Sequence, residues 1–279
     1  GLKDGTGGDE LFLGSDFRMP SAGGALYHES NYTLGRWRFT AGLRFDFEHA
    51  RLRYRNYTDT WYTKTHIKNE TAYERPIDID DRSTLKQTFT ELLPKFSVMY
   101  SFDETRNLYL TIAKGYKSGG FNTQIFSDVL QQKMMNRMGI GEVYDVQRGV
   151  AYKPEYSWNY EIGGHFSCME GAVRGDFALF YIDCRDQQLT VFPPGQTTGR
   201  MMTNAGRTRS LGAEAAVQIS PWRTFDINLA YGYTDARFVR YETTVKNDDG
   251  DPVRISYKDN RIPYAPQHTL YAGASYTLR

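Results

Sequence analysis

Apolar and polar residues alternate one for one along much of this chain. The clearest stretch is Trp37–Phe47, where apolar side chains take the odd positions and polar or small ones the even positions. Successive side chains of a β-strand point to opposite faces, so this pattern gathers the apolar groups on one face. An α-helix, with 3.6 residues per turn, cannot do so. The stretch is therefore predicted to be a two-faced strand.

The same alternation recurs and predicts nine strands. They cover approximately residues 24–33, 36–50, 87–102, 105–117, 154–167, 171–189, 204–219, 224–240 and 263–278. Consecutive strands joined by short turns must be antiparallel. Residues 1–22 are glycine-rich and are expected to be irregular, which leaves 23–279 as the β-domain. The best helical candidate, 128–138, lies between two strands.

Short and long connections alternate between the predicted strands. The short ones are Thr33–Arg36, Phe102–Arg106, Cys168–Gly171 and Ser220–Thr224, and the long ones are about 51–86, 118–153, 190–203 and 241–262. Transmembrane β-barrels have short periplasmic turns on one rim and long extracellular loops on the other. A soluble sandwich spaces its turns more evenly, every 8–12 residues or so.

Two places depart from the pattern. Apolar residues occupy both faces of the predicted strand 171–189, which indicates either a bulge or an apolar body against the inner face. Lys114 falls on the apolar face of its strand, with Leu108, Leu110 and Ile112. Its distance from the turn puts it near the top of an apolar band about 25 Å tall, where a lysine can snorkel toward the headgroups.

The composition agrees with a membrane barrel. Hydrophobic residues make up 40% of the chain, which is low for one buried core, while aromatic residues reach 15%. A barrel needs only one apolar face per strand and concentrates aromatic residues at both membrane interfaces. The net charge of +1, with no concentrated basic stripe, argues against nucleic acid as a partner. We predict an all-β, antiparallel transmembrane β-barrel in contact with outer-membrane lipid; the alternative is a soluble antiparallel sandwich or a twisted repeat sheet.

Five passages, in this order along residues 23–279, carry a resemblance to the barrel of a TonB-dependent outer-membrane receptor. They are LPKFSVMY (93–100) with NLYL (107–110) after the turn, KGYKSGGFN (114–122), YKPEYSWNYEIG (152–163), NAGRTRSLGAE (204–214) and, more weakly, PYAPQHTL (263–270). Each motif alone is weak, whereas the ordered set is fairly specific. The chain thus resembles this family over most of its length.

The resemblance implies a 22-stranded barrel with a plugged lumen in the bacterial outer membrane. It also implies energised import of a scarce nutrient, with siderophore-bound iron first among the candidates. The energy would come from the TonB–ExbB–ExbD complex through the receptor's own plug domain. We find neither a plug domain nor a TonB-interaction segment in this sequence, and nine strands cannot close so large a barrel. The chain is expected to be a partial, mid-barrel piece that does not transport by itself.

Two sets of residues are candidates for function. Polar residues expected to face the lumen or the plug are Arg38, Arg44, Asp46, Glu161, His165, Glu214 and Asp226. Loop residues that could bind a flat or catecholate ligand are Trp61, Tyr62, Tyr73, Tyr116, Lys117, Phe121 and Asn122. Aromatic rings supply stacking surfaces for such ligands. The alternatives are a simply solvated polar wall for the first set, and interfacial or loop packing for the second.

No constellation in the sequence points to catalysis or to a cofactor. There is no G-x-S-x-G motif, no Cys–His pair and no carboxylate cluster, and the five histidines lack metal-ligand spacing. The chain is therefore predicted not to be an enzyme and to need no cofactor. Two rival functions stay open: a passive porin or surface adhesin, and an outer-membrane enzyme barrel with a site formed only in three dimensions.

Overall fold

The computed structural model describes residues 12–66, 71–139, 149–191, 201–246 and 252–278. The elements are β1 Gly14–Arg18, β2 Ser21–Leu34, β3 Trp37–His66, β4 Thr71–Ser101, β5 Arg106–Lys117, β6 Gly120–Phe121, α1 Phe126–Arg137, β7 Ala151–Tyr152, β8 Glu155–Cys168, a 3-10 turn Met169–Gly171, β9 Val173–Val191, β10 Met201–Trp222, β11 Phe225–Arg240, β12 Glu242–Lys246, β13 Pro252–Ser256 and β14 His268–Tyr276. Ten of these strands form one antiparallel sheet in sequential order, with β1 and β2 both paired to β3. The all-β, antiparallel prediction is confirmed.

Each of the nine predicted strands is present, but the expected irregular segment 1–22 is wrong in part. Residues 14–18 and 21–22 are strand, while 1–11 lie outside the described residues. β1 and β2 keep one register on β3, so they are a single strand interrupted at Met19 and Pro20. Proline has no N–H to give to the ladder, which explains the interruption.

The long connections are more ordered than a loop prediction allows. β3 and β4 stay in register from Trp37 opposite Tyr100 to His66 opposite Thr71, so most of the predicted loop 51–86 is an extended hairpin. The connection 118–153 contains α1, close to the predicted helical candidate. The connection 241–262 contains the β12–β13 hairpin. Residues 67–70, 140–148, 192–200 and 247–251 lie outside the described part of the chain.

Exposed apolar rows cover one face of the sheet. Leu43 on β3, Ile162 on β8 and Leu229 on β11 are 44–48% exposed, although they sit in the middle of long strands. From Trp37 to Phe47 the apolar row covers ten steps of about 3.3 Å, or roughly 25 Å of vertical height at the usual strand tilt. That height matches the apolar band of an outer-membrane barrel.

The buried core lies at the long-connection end of the sheet and on the opposite face. Leu52 and Tyr54 of β3 pack there with Phe126 and Val129 of α1, and Leu52, Phe126 and Val129 are fully buried. A second cluster joins Ile77 and Ile79 of β4 to Leu130 and Met134 of the same helix. α1 therefore covers the inner face of the β3–β4 extension. Within the described ranges no helix is both long and apolar enough to cross a membrane.

Local backbone conformations, hydrogen bonds and an ion pair stabilise the short turns. In the β2–β3 turn Gly35 has φ +59°, a conformation that two-residue hairpin turns require and that glycine adopts without strain. In the β4–β5 turn the Phe102 N–H donates to the Arg106 carbonyl at 2.9 Å. The Arg106 guanidinium, followed by the hydroxyl and backbone N–H of Thr105, lowers the pKa of Asp103. The Asp103–Arg106 pair thus stays charged into acid conditions.

The two faces should respond differently to an added charge. Leu229→Arg puts a guanidinium into the middle of the apolar row, and we expect it to destabilise the parent protein in lipid by about 2–4 kcal/mol. Asn228→Arg, one residue away, lies on the polar face opposite Gln218 and Gly273, and should cost far less.

The measurement is the free energy of unfolding of the full-length parent protein in a lipid refolding titration. Asn228→Arg is the matched control, because it adds the same side chain to the same strand. Equal costs for the two variants would contradict the assignment of the faces.

Candidate functional site

The seven residues predicted for the lumen share the face opposite the apolar rows. The strand registers place Arg38, Arg44, Asp46, Glu161, His165, Glu214 and Asp226 on this inner face. The face holds polar cross-strand contacts from end to end, including Thr40 with Asn31 at 2.6 Å and Ser97 with Thr111 at 2.9 Å. Their role toward a lumen or a plug stays a prediction.

The inner-face residues do not form one cluster. Arg44 Nε donates to Asp46 Oδ1 at 2.8 Å, so these two charges neutralise each other on β3. Near the short turns the Ser220 hydroxyl donates to Asp226 Oδ1 at 2.5 Å. No described residue makes a hydrogen bond or ion pair with the Arg38 side chain. Four of the seven therefore have local or no partners, and the remaining three converge with residues that the sequence did not single out.

An acidic hollow lies in the middle of the inner face, with a volume of about 580 Å³. The Tyr109 hydroxyl donates to Glu161 Oε1 at 2.8 Å, and the Tyr109 ring stacks on His165 with centroids 5.6 Å apart. His165 Nδ1 lies 3.8 Å from Asp176 Oδ1, and Glu214 completes the rim. Tyr109 and Asp176 were missed because one is aromatic and the other lies on the strand with two apolar faces.

Glu161 and Glu214 have no Lys or Arg partner among the described residues. Both residues line the hollow, and Glu214 is exposed while Glu161 is partly exposed. A carboxylate pair of this kind attracts cationic or hydrogen-bond-donating groups. No group of three or more side chains that could hold a metal ion occurs within the described ranges.

The loop candidates are not brought together. Trp61 and Tyr73 are more than half exposed near the far end of the β3–β4 hairpin. Tyr62 and Phe121 pack against two different apolar clusters beneath α1. Two others, Tyr116 and Lys117, lie at the upper end of β5, where the Tyr116 ring contacts Tyr156 at 5.8 Å. The predicted aromatic ligand site is therefore not formed by these residues as one surface.

Asn122 acts as a clamp between two distant segments. Its side-chain Nδ2 donates to the Met202 carbonyl at 2.9 Å, and the Met202 N–H donates back to Oδ1 at 2.7 Å. The residue is only 8% exposed. Both ends of the amide bond to the Met202 backbone, so Asn122 holds the α1 connection onto β10.

Two further amides reinforce that clamp. Gln188 Nε2 donates to the carbonyls of Ser118 and Lys153, at 2.7 and 3.1 Å. Asn204 Nδ2 donates to the Lys153 carbonyl at 2.9 Å. Together with Asn122 they fasten both ends of the 118–153 connection to β9 and β10. Asn122 and Asn204 both lie in passages of the family resemblance, which was the only sequence signal for this role.

Lys114 has a different environment from the one predicted. It forms a short ion pair with Glu91 and lies 5.5 Å from the centre of the Tyr156 ring. The β4–β5 ladder ends at Lys95 opposite Ala113, one residue below. Because the two strands separate there, the ammonium group reaches Glu91 across the gap. The snorkelling interpretation of Lys114 is therefore wrong.

An aromatic groove of about 840 Å³ lies at the long-connection end, between β9, β11 and the segment before β14. Tyr241 stacks on Tyr257 with centroids 5.4 Å apart, and Phe238 packs against Tyr241 at 5.1 Å. Tyr264 is fully exposed at the rim, beside Arg261. Burial and the neighbouring Tyr257 raise the pKa of Tyr241, which keeps its hydroxyl protonated. The sequence analysis did not single out these residues as a site, since three separate segments build the groove.

The fold and its two-faced wall define an outer-membrane β-barrel, and comparison with known families agrees. Residues 4–279 match the family described as TonB dependent receptor-like, beta-barrel. The chain belongs to this family, whose members are transporters of the bacterial outer membrane and not enzymes. Both the family resemblance and the predicted location are confirmed.

Curated relatives match over part of their length. The pesticin receptor of Yersinia enterocolitica is 28% identical over 185 residues, which are 66% of this chain and 22% of that receptor. The pesticin receptor of Yersinia pestis is 26% identical over the same share of each chain. The matched region therefore spans about a fifth of the length of these relatives.

Solved structures show the same fold. The ferric yersiniabactin uptake receptor FyuA from Yersinia pestis aligns with a TM-score of 0.60 and 19% identity, over 96% of this chain and 33% of that one. The siderophore receptor PiuA from Acinetobacter baumannii aligns with a TM-score of 0.61 and 16% identity, over 94% and 32%. The sheet described above thus corresponds to about one third of such receptors.

Removal of the Asn122 clamp should loosen the α1 connection. Asn122→Ala leaves the Met202 N–H and carbonyl without their side-chain partner, and we expect a loss of about 1–3 kcal/mol in local opening free energy. The amide of Met202 should then exchange with solvent roughly 10–100 times faster.

Hydrogen exchange of the parent receptor in detergent micelles measures this change. Asn136→Ala is the matched control, because Asn136 lies exposed on α1 and its side chain is not part of the clamp. Similar exchange rates at Met202 in the two variants would contradict a clamping role for Asn122.

Proposed function

We propose that this chain is part of the barrel of a receptor that imports a ferric siderophore by energised transport. The named relatives are a pesticin receptor, a ferric yersiniabactin uptake receptor and a siderophore receptor, which supports iron chelates as the substrate class. The receptor's own plug domain and the TonB–ExbB–ExbD complex would supply gating and energy, as the family resemblance implies.

The aromatic groove is the observation that carries the ligand assignment. It lies at the end of the sheet opposite the short turns, which is the extracellular end in barrels of this kind. Tyr241, Tyr257 and Tyr264 offer ring faces, and Arg261 offers a cation that pairs with anionic oxygens. A ferric chelate with aromatic rings and net negative charge fits both features. Other loops of the complete receptor would contribute further contacts.

The acidic hollow supports the second half of the proposal. Glu161 and Glu214 present carboxylates on the inner face at mid-height, with no described cation beside them. A plug domain inside the barrel would meet this wall, and its Lys, Arg or backbone N–H groups could pair with the carboxylates. Such polar contacts hold the plug while allowing it to move, because water can replace them at low cost.

Uptake of radioactive iron by cells tests the function. The parent receptor is expressed in a strain without other receptors for the chosen siderophore, with and without a functional TonB. We expect uptake only when TonB is present. Equal uptake in both strains would contradict energised transport and favour a passive porin, while binding without uptake in either strain would favour an adhesin.

Tyr264→Ala should weaken binding of an aromatic ferric siderophore about 2–10-fold, because one stacking face is lost. Tyr264→Phe should keep nearly full affinity, since it retains the ring. Intrinsic fluorescence quenching of the purified parent receptor measures the dissociation constants.

Tyr276→Ala serves as the positional control. Tyr276 is also an exposed tyrosine, but it lies at the short-turn end of β14. If this variant loses as much affinity as Tyr264→Ala, or if neither variant loses any, the groove is not the capture site.

A further inference from the structure

We propose that a basic surface on the outward face of the β3–β4 hairpin binds the phosphate groups of anionic glycolipids in the outer leaflet. The basic surface consists of Arg18, Arg51, Arg53, Arg55, Arg82 and Lys86. The expectation of no concentrated basic stripe is therefore wrong, because the pairing of β1, β3 and β4 brings these cations together. It is separate from the aromatic groove and the acidic hollow, and it does not depend on which nutrient the receptor imports.

The strand registers bring these six side chains into three adjacent rows. Arg51 lies opposite Lys86, and Arg53 lies between Arg18 and Thr84. In the next row Arg55 lies between Asp16 and Arg82. Side chains directly opposite on one face are about 5 Å apart at Cβ, so the six form one continuous patch. Asp16 is the only carboxylate within these rows.

The basic surface faces the same side as the lipid-facing rows. Arg51, Arg53 and Arg55 continue the odd-numbered row that holds Phe45 and Phe47, and the β3–β4 register has no bulge that would exchange the faces. The even-numbered row turns inward and is buried beneath α1, as Leu52 shows. The basic side chains therefore point away from the lumen, the plug and any ligand within it.

The height of the patch coincides with the lipid headgroups. Phe47 ends the apolar row, and Arg51 follows after four residues, or about 13 Å along the strand. At the tilt usual for such barrels this places Arg51 roughly 10 Å above the apolar band. Arg53 and Arg55 lie two and four residues further along the strand. Phosphates attached to the lipid anchor of a glycolipid occupy this zone, just outside the hydrocarbon.

Much of the positive charge has no protein partner. Asp80 accepts from both Arg55, at 2.9 Å, and Arg82, at 2.7 Å. Arg51 Nε donates to a ring nitrogen of His49 at 2.9 Å, which adds no negative charge. The structure shows no acidic partner for Arg18, Arg53 or Lys86 within the described ranges. Five of the six residues are solvent-exposed, and Arg55 is partly exposed.

Elsewhere at this end of the sheet, outward-facing arginines have acidic partners. Asp183 lies 2.6 Å from Arg207 and 3.8 Å from Arg185, and Asp235 lies 2.8 Å from Arg237. There the arginines gather around a carboxylate that is mostly buried. The basic surface differs because three of its six cations, Arg18, Arg53 and Lys86, have no acidic partner among the described residues. Arginine binds phosphate through two parallel hydrogen bonds, which suits this arrangement.

Native mass spectrometry of the full-length parent receptor tests the proposal, with lipid A carrying both phosphates as the probe. The double variant Arg51→Gln with Arg53→Gln should retain about 10–30 times less lipid A than the unchanged receptor, from the loss of two surface cations near anionic lipid. Lipid A without phosphates should be retained equally weakly by both. Arg53→Gln alone should give an intermediate loss.

The matched control removes two arginines at the other rim, Arg36→Gln with Arg223→Gln, in two short turns. It should retain lipid A like the unchanged receptor. The proposal is overturned if this control loses as much lipid, if dephosphorylated lipid A is retained as well as the phosphorylated form, or if a soluble polyphosphate displaces lipid A completely. The last result would indicate a general polyanion surface and no lipid site.

Discussion

The structure depends on one constraint: inside hydrocarbon, every backbone N–H and C=O must be paired within the protein. The ladders from β2 through β14 meet it with nearly unbroken registers, and only β10–β11 shows a shift, near each end of the pair. The outer edges of β2 and β14 can meet it only by pairing with further strands. A closed barrel therefore needs more strands than these ten. This agrees with the alignment of the chain to about one third of the length of the solved receptors.

The same strands serve two environments, and their buried face changes at the membrane boundary. Along the lower part of β3 the odd-numbered row, with Leu43 and Phe45, faces outward into the apolar band. Beyond Phe47 the odd row becomes basic, and the even row, with Leu52 and Tyr54, becomes the buried one under α1. No backbone irregularity is needed for this change, because the alternation continues and only the chemistry of each row differs. The basic surface follows from this arrangement.

Period-2 alternation was enough to predict nine strands, their antiparallel order and the face of residues such as Glu161 and Asp226. It could not predict that 51–86 extends as a hairpin. The even-numbered row of β3 in this segment is stabilised by contacts with α1, which lies more than seventy residues away along the chain. The side-chain partners could not be predicted from the sequence either. Lys114 pairs with Glu91 only because β4 and β5 separate, and Asn122 bonds to Met202 because of the path of the connection between them. Residues of the aromatic groove converge from three segments, so none stood out alone.

The unbroken β3–β4 ladder also limits how this hairpin can change in length. Its thirty pairs share one register, so a single inserted or deleted residue in either strand would rotate everything beyond it onto the other face. Such a change near Ala50 would aim Leu52 and Tyr54 at the outside and send arginines under the helix. Insertions and deletions of this segment are therefore tolerable only at its tip, or when both strands gain or lose residues together in pairs. Below the tip, homologous hairpins are expected to differ only by even numbers of residues in each strand.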